Sequence, residues 1–378
     1  MRVLDCSVVV IGGGIAGASV AAHLAEHTTV RLLEMEGQPG YHATGRSAAQ
    51  FSETYGNSTI RALSRASRSF FFSPPAGFCS MPLVRPRADL IFARPTQHEL
   101  LDRYFESTGP NGRVERLSIE RTLELCPILR PNELAGAILD GSAADIDVHA
   151  LHLGYLKLLK ARGGLVTTAA EVVGLEREAD SWRVTTPKAV LRASVVVNAA
   201  GAWAGELGRM AGAQNIGLEP RRRTSVLVEP PIGLDTASWP MLSDIDETFY
   251  LKPDAGLLLL SPADETPSPA CDAQPDDLDV AIAIDRLERA TTLEVRRVVS
   301  KWAGLRSFVT DRSPCVGFDT RQPDFFWFAA LGGYGIQTAP ALSILASALV
   351  FDRDIVERFS SCGLDPADLA PSRLLARA

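Results

Sequence analysis

The segment Val8–Glu36, "VVVIGGGIAGASVAAHLAEHTTVRLLEME", constrains the fold more than any other part of the chain. Val8–Ile11 is a continuous β-branched run, the pattern of a strand buried on both faces of a parallel sheet. The Ala-rich stretch Ile15–Glu26 follows as a helix and Val30–Leu33 as a second strand, which makes a right-handed βαβ unit. Gly12, Gly14 and Gly17 lie between the first strand and the helix as GxGxxG. Gly12 permits the tight turn, Gly14 the close approach of a pyrophosphate, and Gly17 the packing of helix on strand. The helix N-terminus offers N–H groups and partial positive charge to that anion. Glu34 ends the second strand, where an acid bonds a ribose hydroxyl. The pattern predicts a dinucleotide site without separating FAD from NAD.

The strand–glycine–helix order recurs in "VLRASVVVNAAGAWAGELGRMAG", with a strand at Ser194–Val197, and in "FFWFAALGGYGIQTAPALSILASALV", with a strand at Phe325–Ala329 and a helix from about Ile336. Three such units point to one nucleotide domain assembled from distant segments. Between them, Phe78–Ala144 and Leu218–Val298 carry most of the prolines and alternating stretches such as "TSVLVEP", the texture of antiparallel sheet. The acidic, proline-rich Pro262–Asp279 reads as a surface loop leading into the helix "LDVAIAIDRLERA". The expected fold is therefore α/β, α+β overall. A Rossmann-like domain is expected from residues 1–85, 145–217 and 299–378, and an inserted antiparallel-sheet substrate domain from 86–144 and 218–298.

Composition excludes several other classes. The chain has 378 residues, 46% of them hydrophobic, enough for two modest cores. A net charge of −7 argues against nucleic-acid binding, which rests on basic surface meeting phosphates. Six cysteines form no CxxC pair, so reduced thiols are expected. No apolar run reaches the roughly 18–20 residues that span a bilayer, and "MRVLDCSVVVIGGG" has no leader-like pattern. The expectation is a soluble cytoplasmic protein without a transmembrane segment, a peripheral position at the inner membrane being the alternative.

Other residues ask for chemistry. Pro39–Gly56, "PGYHATGRSAAQFSETYG", has too many glycines for a helix and carries an arginine and two tyrosines that a linker does not need. "GGYGIQ", Gly332–Gln337, is a second glycine turn opening a helix, and its N–H donors face an anion or simply a crowded backbone. Arg306, in "KWAGLRSFVTDRSP", lies between Trp302 and Phe308, as a partly buried guanidinium would. Its partner is either a substrate carboxylate or an internal acid. The run Arg221–Arg223 raises the same question. Tyr250 is either a carboxylate donor or a half-buried core tyrosine. His149 and His152, spaced i, i+3, have no third ligand motif and read as first-turn helix surface. There is no GxSxG, and Cys315 has no neighbouring histidine to activate it.

GxGxxG with Glu34, "GRSAAQF", "VVVNAAGAW", "WAGLRSF" and "GGYGIQ" together resemble the D-amino-acid-oxidase-like, or glycine-oxidase-like, FAD flavoproteins. Within them, "QPGYHATGRSAA", "FFFSPPAGFC", "GSAADIDVHALHLGYL", "FYLKPDAG" and "TTLEVRR" resemble the catabolic D-arginine dehydrogenases. The resemblance implies FAD held noncovalently between the two domains. Related sarcosine oxidases attach flavin through a cysteine near where this chain has Arg306 and Ser307, whereas Cys315 lies further on. Gly12, Gly14, Ala16, Gly17, Glu34, Met35, Thr44, Gly45, Arg46, Ser47, Ala48, Ala49, Gln50, Val172, Ala200, Gly201, Trp203, Gly332, Gly333, Tyr334, Gly335, Ile336 and Gln337 would contact it. Arg223, Arg306 and Tyr250 would grip a substrate carboxylate, the Gly333 carbonyl would accept from the amine, and Tyr55 would close over the ligand. Gln337 would sit near both flavin and substrate, and Asp89 would face a cationic side chain.

Two departures stand out. Gln50 replaces a histidine near the flavin and cannot titrate near neutral pH, so proton removal from the substrate ammonium falls to water or another group. Asp89 replaces a glutamate and reaches one methylene less far. The implied activity is FAD-dependent oxidation of a D-amino acid by hydride transfer to flavin N5, the imine then hydrolysing to a 2-oxo acid and ammonia. An amine or amino-acid oxidase that yields peroxide, of D-amino acid, glycine or sarcosine type, is the alternative on the same fold. An NAD-linked dehydrogenase and a non-catalytic flavoprotein are the readings from other classes. The expected partners are the small-molecule substrate and an electron acceptor, a quinone or redox protein, with the chain a monomer or weak dimer.

Overall fold

The computed structural model describes residues 2–108, 114–353 and 359–375. The β-branched run is the C-terminal half of a ten-residue strand, Arg2–Ile11, inside an eight-stranded sheet. Ala189–Asn198 runs parallel to it on one side and Val30–Leu33 on the other, with Leu165–Thr167 beyond. Phe325–Ala329, where it was expected, is parallel to the last residues of Ala189–Asn198. The antiparallel pair Gly174–Glu178 and Ser181–Thr185 extends the same sheet.

The side chains of Val8–Ile11 alternate between two cores, as period-2 geometry requires. Val8 and Val10 pack with residues of the helices Ile15–Leu24, Val148–Ala161 and Gly335–Val350. Val9 and Ile11 pack on the other face with Trp182, Leu207 and Trp327. Burial on both faces explains why this strand reads as an unbroken apolar run.

A second sheet of nine strands has the order Thr266–Pro267, Glu219–Val228, Leu257–Ser261, Tyr250–Asp254, Met241–Asp244, Asp89–Ala93, Gly136–Asp140 and Val114–Leu117. Its pairings are antiparallel except that of Met241–Asp244 with Asp89–Ala93. The ninth strand, Val298–Phe308, pairs along Glu219–Val228 as a long two-stranded ribbon. The expected boundary at residue 299 therefore cuts this strand from the sheet it belongs to. The change in sequence texture precedes the strand, whereas ladder hydrogen bonds continue to Phe308. A small third sheet joins Gln50–Phe51, Ala144–Ile146 and Val84–Pro86.

The glycine turn is steric in origin. Gly12 has φ +107°, and a Cβ on Gly17 would stand 1.8 Å from the Gly12 carbonyl oxygen. Gly17→Ala should therefore lower the thermal midpoint, at an overpacking cost of about 1–3 kcal/mol. An unchanged melting curve would show that helix and turn separate freely.

Candidate active site

A cavity of about 490 Å³ runs from Met35 and Val172, past Gly12–Gly14, to Gly332, Gly333 and Arg306. Its middle is backbone. Gly13 N–H donates to Glu34 Oε2 (2.7 Å), and Glu34 Oε1 accepts from Glu36 N–H (2.8 Å). At the start of the helix Ile15–Leu24, the Ile15 N–H donates to Thr44 Oγ1 (2.9 Å). Gly201 is left-handed (φ +57°) with nothing within 4 Å of a Cβ position, so backbone rather than side chain borders the space there. An acid at one end, a side-chain-free turn at a helix N-terminus in the middle and a second helix start at Gly335 suit a dinucleotide. The residues present therefore fit FAD.

Of the residues expected at the cofactor, Gly12, Gly14, Ala16, Glu34, Met35, Thr44, Arg46, Ser47, Ala48, Val172, Ala200, Gly201, Trp203, Gly332, Gly333, Gly335 and Ile336 line this cavity. Gly17 instead packs helix on turn, and Gly45 closes a loop by donating its N–H to the Gly40 carbonyl (2.8 Å). Ala49 packs against the apolar core, and the Tyr334 ring lies 5.1 Å from that of Tyr55. Gln50 belongs to the small sheet, its amide donating to the Arg87 carbonyl (3.3 Å). Gln337 is buried, and its Oε1 accepts from Ser52 N–H (3.0 Å) while its Nε2 has no hydrogen-bond partner. Arg46 finds an internal acid, Asp272, and donates to the carbonyls of Ala273 (3.0 Å) and Ala303 (2.9 Å).

His152 departs from expectation. It is buried, not on the helix surface, and its Nε2 donates to the Gly13 carbonyl (2.8 Å). His149 is exposed, so the two histidines three residues apart have opposite environments. Histidine type and spacing carry no signal for this contact; the packing of the helix Val148–Ala161 against the glycine turn creates it.

Basic residues gather at the far end of the cavity. Arg223 is buried, its Nε donating to the Asp264 carbonyl (2.8 Å) and Nη2 to Glu265 Oε1 (3.3 Å). Glu265 also takes Arg312 in two bonds (3.0 and 2.7 Å) and stands 3.7 Å from Arg221. Arg222 pairs with Asp279 (2.8 Å). Sequence reading missed Asp264 and Glu265, because nothing local marks them as the acids that hold these arginines. Arg306 differs from all four. Among the described residues no carboxylate lies within ion-pair distance of it, and a Cβ on Gly333 would stand 2.8 Å from its Nη1. Tyr250 is buried and its hydroxyl makes no well-formed hydrogen bond, although Ser261 and Arg223 lie beside it. Burial alone would raise this phenol, but the Arg306 and Arg223 guanidiniums outweigh it and hold it below the ordinary tyrosine value. Burial, followed by Glu247, raises the Tyr55 phenol instead, despite the pull of Arg306.

Acids collect further along the same face. Register partners share a face, as do residues two apart. Tyr250 is opposite Ser243, Met241 is opposite Asp89, and Asp89 is opposite Asp140. Ser243 Oγ donates to Asp89 Oδ1 (3.2 Å). Asp140 accepts from the hydroxyls of Ser52 (3.2 Å), Thr54 (3.0 Å) and Ser142 (2.6 Å), tying the loop that carries Tyr55 to the sheet. Asp89 is pushed up to about 7, first by burial and then by the neighbouring Asp140. One strand separates those of Asp89 and Tyr250, so the acid stands about 10 Å from the phenol's strand. Asp89, Tyr55, Gln50 and Gln337 are not cavity-lining.

Residues 7–349 match the family model described as DAO, FAD dependent oxidoreductase. The chain is 23% identical over 347 residues to a glycerol 3-phosphate dehydrogenase of Caloramator mitchellensis, covering 89% of this chain and 72% of that protein. Its fold is similar to that of glycine oxidase from Geobacillus kaustophilus, with a TM-score of 0.83, 21% identity and coverage of 98% and 99% of the two chains. L-α-glycerophosphate oxidase from Mycoplasma pneumoniae, solved with FAD bound, gives a TM-score of 0.82 at 18% identity, covering 92% and 95%. No helix among the described residues is long and apolar enough to cross a membrane.

The raised Asp89 carboxyl has a thermodynamic consequence. A carboxyl that holds its proton more tightly when folded contributes stability below its unfolded value, and that contribution is lost as pH rises through about 7. Asp89→Asn keeps an acceptor for Ser243, so it should raise the thermal midpoint at pH 8 and leave it nearly unchanged at pH 4. Equal shifts at both pH values would show that Asp89 is not held protonated.

Proposed function

Because the chain belongs to the DAO family of FAD-dependent oxidoreductases, we propose that it is an FAD-dependent D-amino acid dehydrogenase. It would oxidise the substrate to an imino acid that hydrolyses to a 2-oxo acid and ammonia. The carrying observation is Arg306, a guanidinium with no carboxylate at ion-pair distance among the described residues, beside Arg223 and a Tyr250 hydroxyl that makes no well-formed hydrogen bond. Polar groups enclosed in this way call for a ligand acceptor, and a carboxylate can take two N–H donors and one O–H.

Charge matching favours a carboxylate over the phosphate that the names of two relatives carry. Arg221, Arg223 and Arg312 converge on Glu265, and Arg222 on Asp279. Of these arginines Arg306 alone has no carboxylate at ion-pair distance, and in this reading its one guanidinium takes a monoanion. In this reading Arg223, Arg306 and Tyr250 fix the carboxylate, and the Gly333 carbonyl accepts from the amine. Tyr55 and Gln337 border the substrate, and Asp89, about 10 Å along the sheet, meets a long cationic side chain. The D configuration follows from the sequence resemblance. When bound, the flavin supplies the two-electron acceptor for the Cα hydride. The protein's share is orientation: carboxylate and amine are held at two points, and Cα–H is turned toward the cavity. Gln50 cannot take a proton, so in this reading the ammonium loses its proton to solvent. Cys315 is fully buried and away from the cavity, with its thiol pushed up to about 12 by burial, so it is not placed to attach the flavin. Residues 1–85, 145–217 and 309–378 would then hold FAD, and 86–144 with 218–308 the substrate.

Arg306→Met should reduce turnover by about 100-fold or more while the visible flavin spectrum is retained. Near-normal activity would overturn the assignment. Anaerobic bleaching of the flavin by a panel of D- and L-amino acids, glycine and glycerol 3-phosphate should be fastest with a cationic D-amino acid. Preferential bleaching by glycerol 3-phosphate would replace this reading with a phosphate one.

A further inference from the structure

The glycine turn has no side chains to hold its own peptides, and glycine–glycine peptides reorient at little steric cost. Two groups outside the turn hold them. Glu34 Oε2 accepts from the Gly13 N–H, which belongs to the peptide joining Gly12 and Gly13. His152 Nε2 reaches the Gly13 carbonyl, which belongs to the next peptide. A carbonyl oxygen only accepts, so the proton sits on Nε2. Burial lowers the affinity of His152 for a second proton, and the imidazole is the neutral Nε2–H tautomer.

A trans peptide points its C=O and N–H in opposite directions. If His152 draws the Gly13 carbonyl toward the helix Val148–Ala161, the N–H of Gly14 must point away from that helix. Gly13 and Gly14 line the cavity and His152 does not, so the far side of the peptide is the cavity. The imidazole also touches a second cavity loop. A Cβ on Gly40 would stand 2.9 Å from His152 Cε1, and Gly40 opens the loop whose Thr44 accepts from Ile15 N–H. The ring is thus wedged between both loops that face the phosphates of a dinucleotide.

We propose that His152 is a positioning residue for the FAD pyrophosphate: its Nε2–H fixes the Gly13–Gly14 peptide so that the Gly14 N–H donates to a phosphate oxygen. The inference rests on family membership and the glycine turn, and is independent of the substrate.

The experiment measures FAD affinity by fluorescence titration of the flavin-stripped protein, with ADP and AMP as competing ligands. His152→Phe fills the space without a donor, His152→Ala empties it, and His152→Gln returns an N–H near the Nε2 position. Expected are about ten-fold weaker FAD and ADP binding for the Phe and Ala variants, a smaller loss for AMP, which keeps one of the two phosphates, and the Gln variant within about three-fold of the parent. His152→Phe binding FAD and ADP as tightly as the parent would overturn the proposal, leaving a packing contact. Equal loss of AMP and ADP in every variant, Gln included, would also overturn it, because the pyrophosphate would then have no special part. Thermal midpoints of the stripped proteins separate either result from misfolding.

Discussion

The Gly12 carbonyl oxygen fills the space that a side chain at position 17 would need, and the cofactor half of the molecule follows from that contact. A Cβ at position 17 would lie 1.8 Å from the oxygen, so the helix Ile15–Leu24 can approach its strand this closely only with glycine there. Close approach brings the helix N-terminus beside the end of Arg2–Ile11, and the cavity opens at that corner. Glu34 comes to the same corner because Val30–Leu33 is in parallel register with Val8–Ile11. The turn is therefore a packing device first, and its binding capacity is a consequence of the packing.

The substrate side obeys a different constraint, the cost of crowding guanidiniums. Arg221, Arg222 and Arg223 are consecutive on one strand, and Arg306 is the register partner of Arg221. Such a cluster repels itself, and burial makes the repulsion larger. The loop after Leu257–Ser261 answers with Asp264, which accepts from both the N–H and the hydroxyl of Thr224, and with Glu265, which collects three arginines. Asp264 and Glu265 offset the repulsion within the cluster while leaving Arg306 without a carboxylate at ion-pair distance. Structure and binding share this patch: remove the acids and the arginines lose their places.

Long, strongly patterned elements were legible before the fold was known. Phe325–Ala329 and Val30–Leu33 have the limits that their apolar runs imply, because burial on both faces leaves a local mark. Arg306 was legible as a guanidinium in need of a partner, but whether an acid reaches ion-pair distance of it depends on every neighbouring segment. The misreadings share that cause. His152 lies i+3 from an exposed histidine, yet it faces a turn 139 residues away. The boundary at 299 followed composition, whereas the strand Val298–Phe308 is defined by hydrogen bonds to Glu219–Val228. Arg46 lines the cavity and pairs with Asp272, 226 residues on, a meeting that no local pattern announces. Sequence pattern reports what an element buries, and tertiary register decides which polar groups meet.

The face of the second sheet shows how register gathers polar groups from distant segments. Successive strands bring Asp140, Asp89, Ser243 and Tyr250 into one row that ends at the arginines. No segment of sequence contains that order; it arises because strands distant in the chain lie about 4.8 Å apart. The row is acidic at one end and basic at the other, so in the proposed function a ligand with a carboxylate and a distant cation would have one favourable direction along it. A ligand of reversed polarity meets like charge at both ends, and discrimination by repulsion needs no new contact. Asp89 adds a graded element, since its carboxyl is held near 7 by burial and by Asp140. The acidic end therefore gains charge as pH rises through neutrality while the Arg306 end keeps its own, and the polarity of the row steepens with pH.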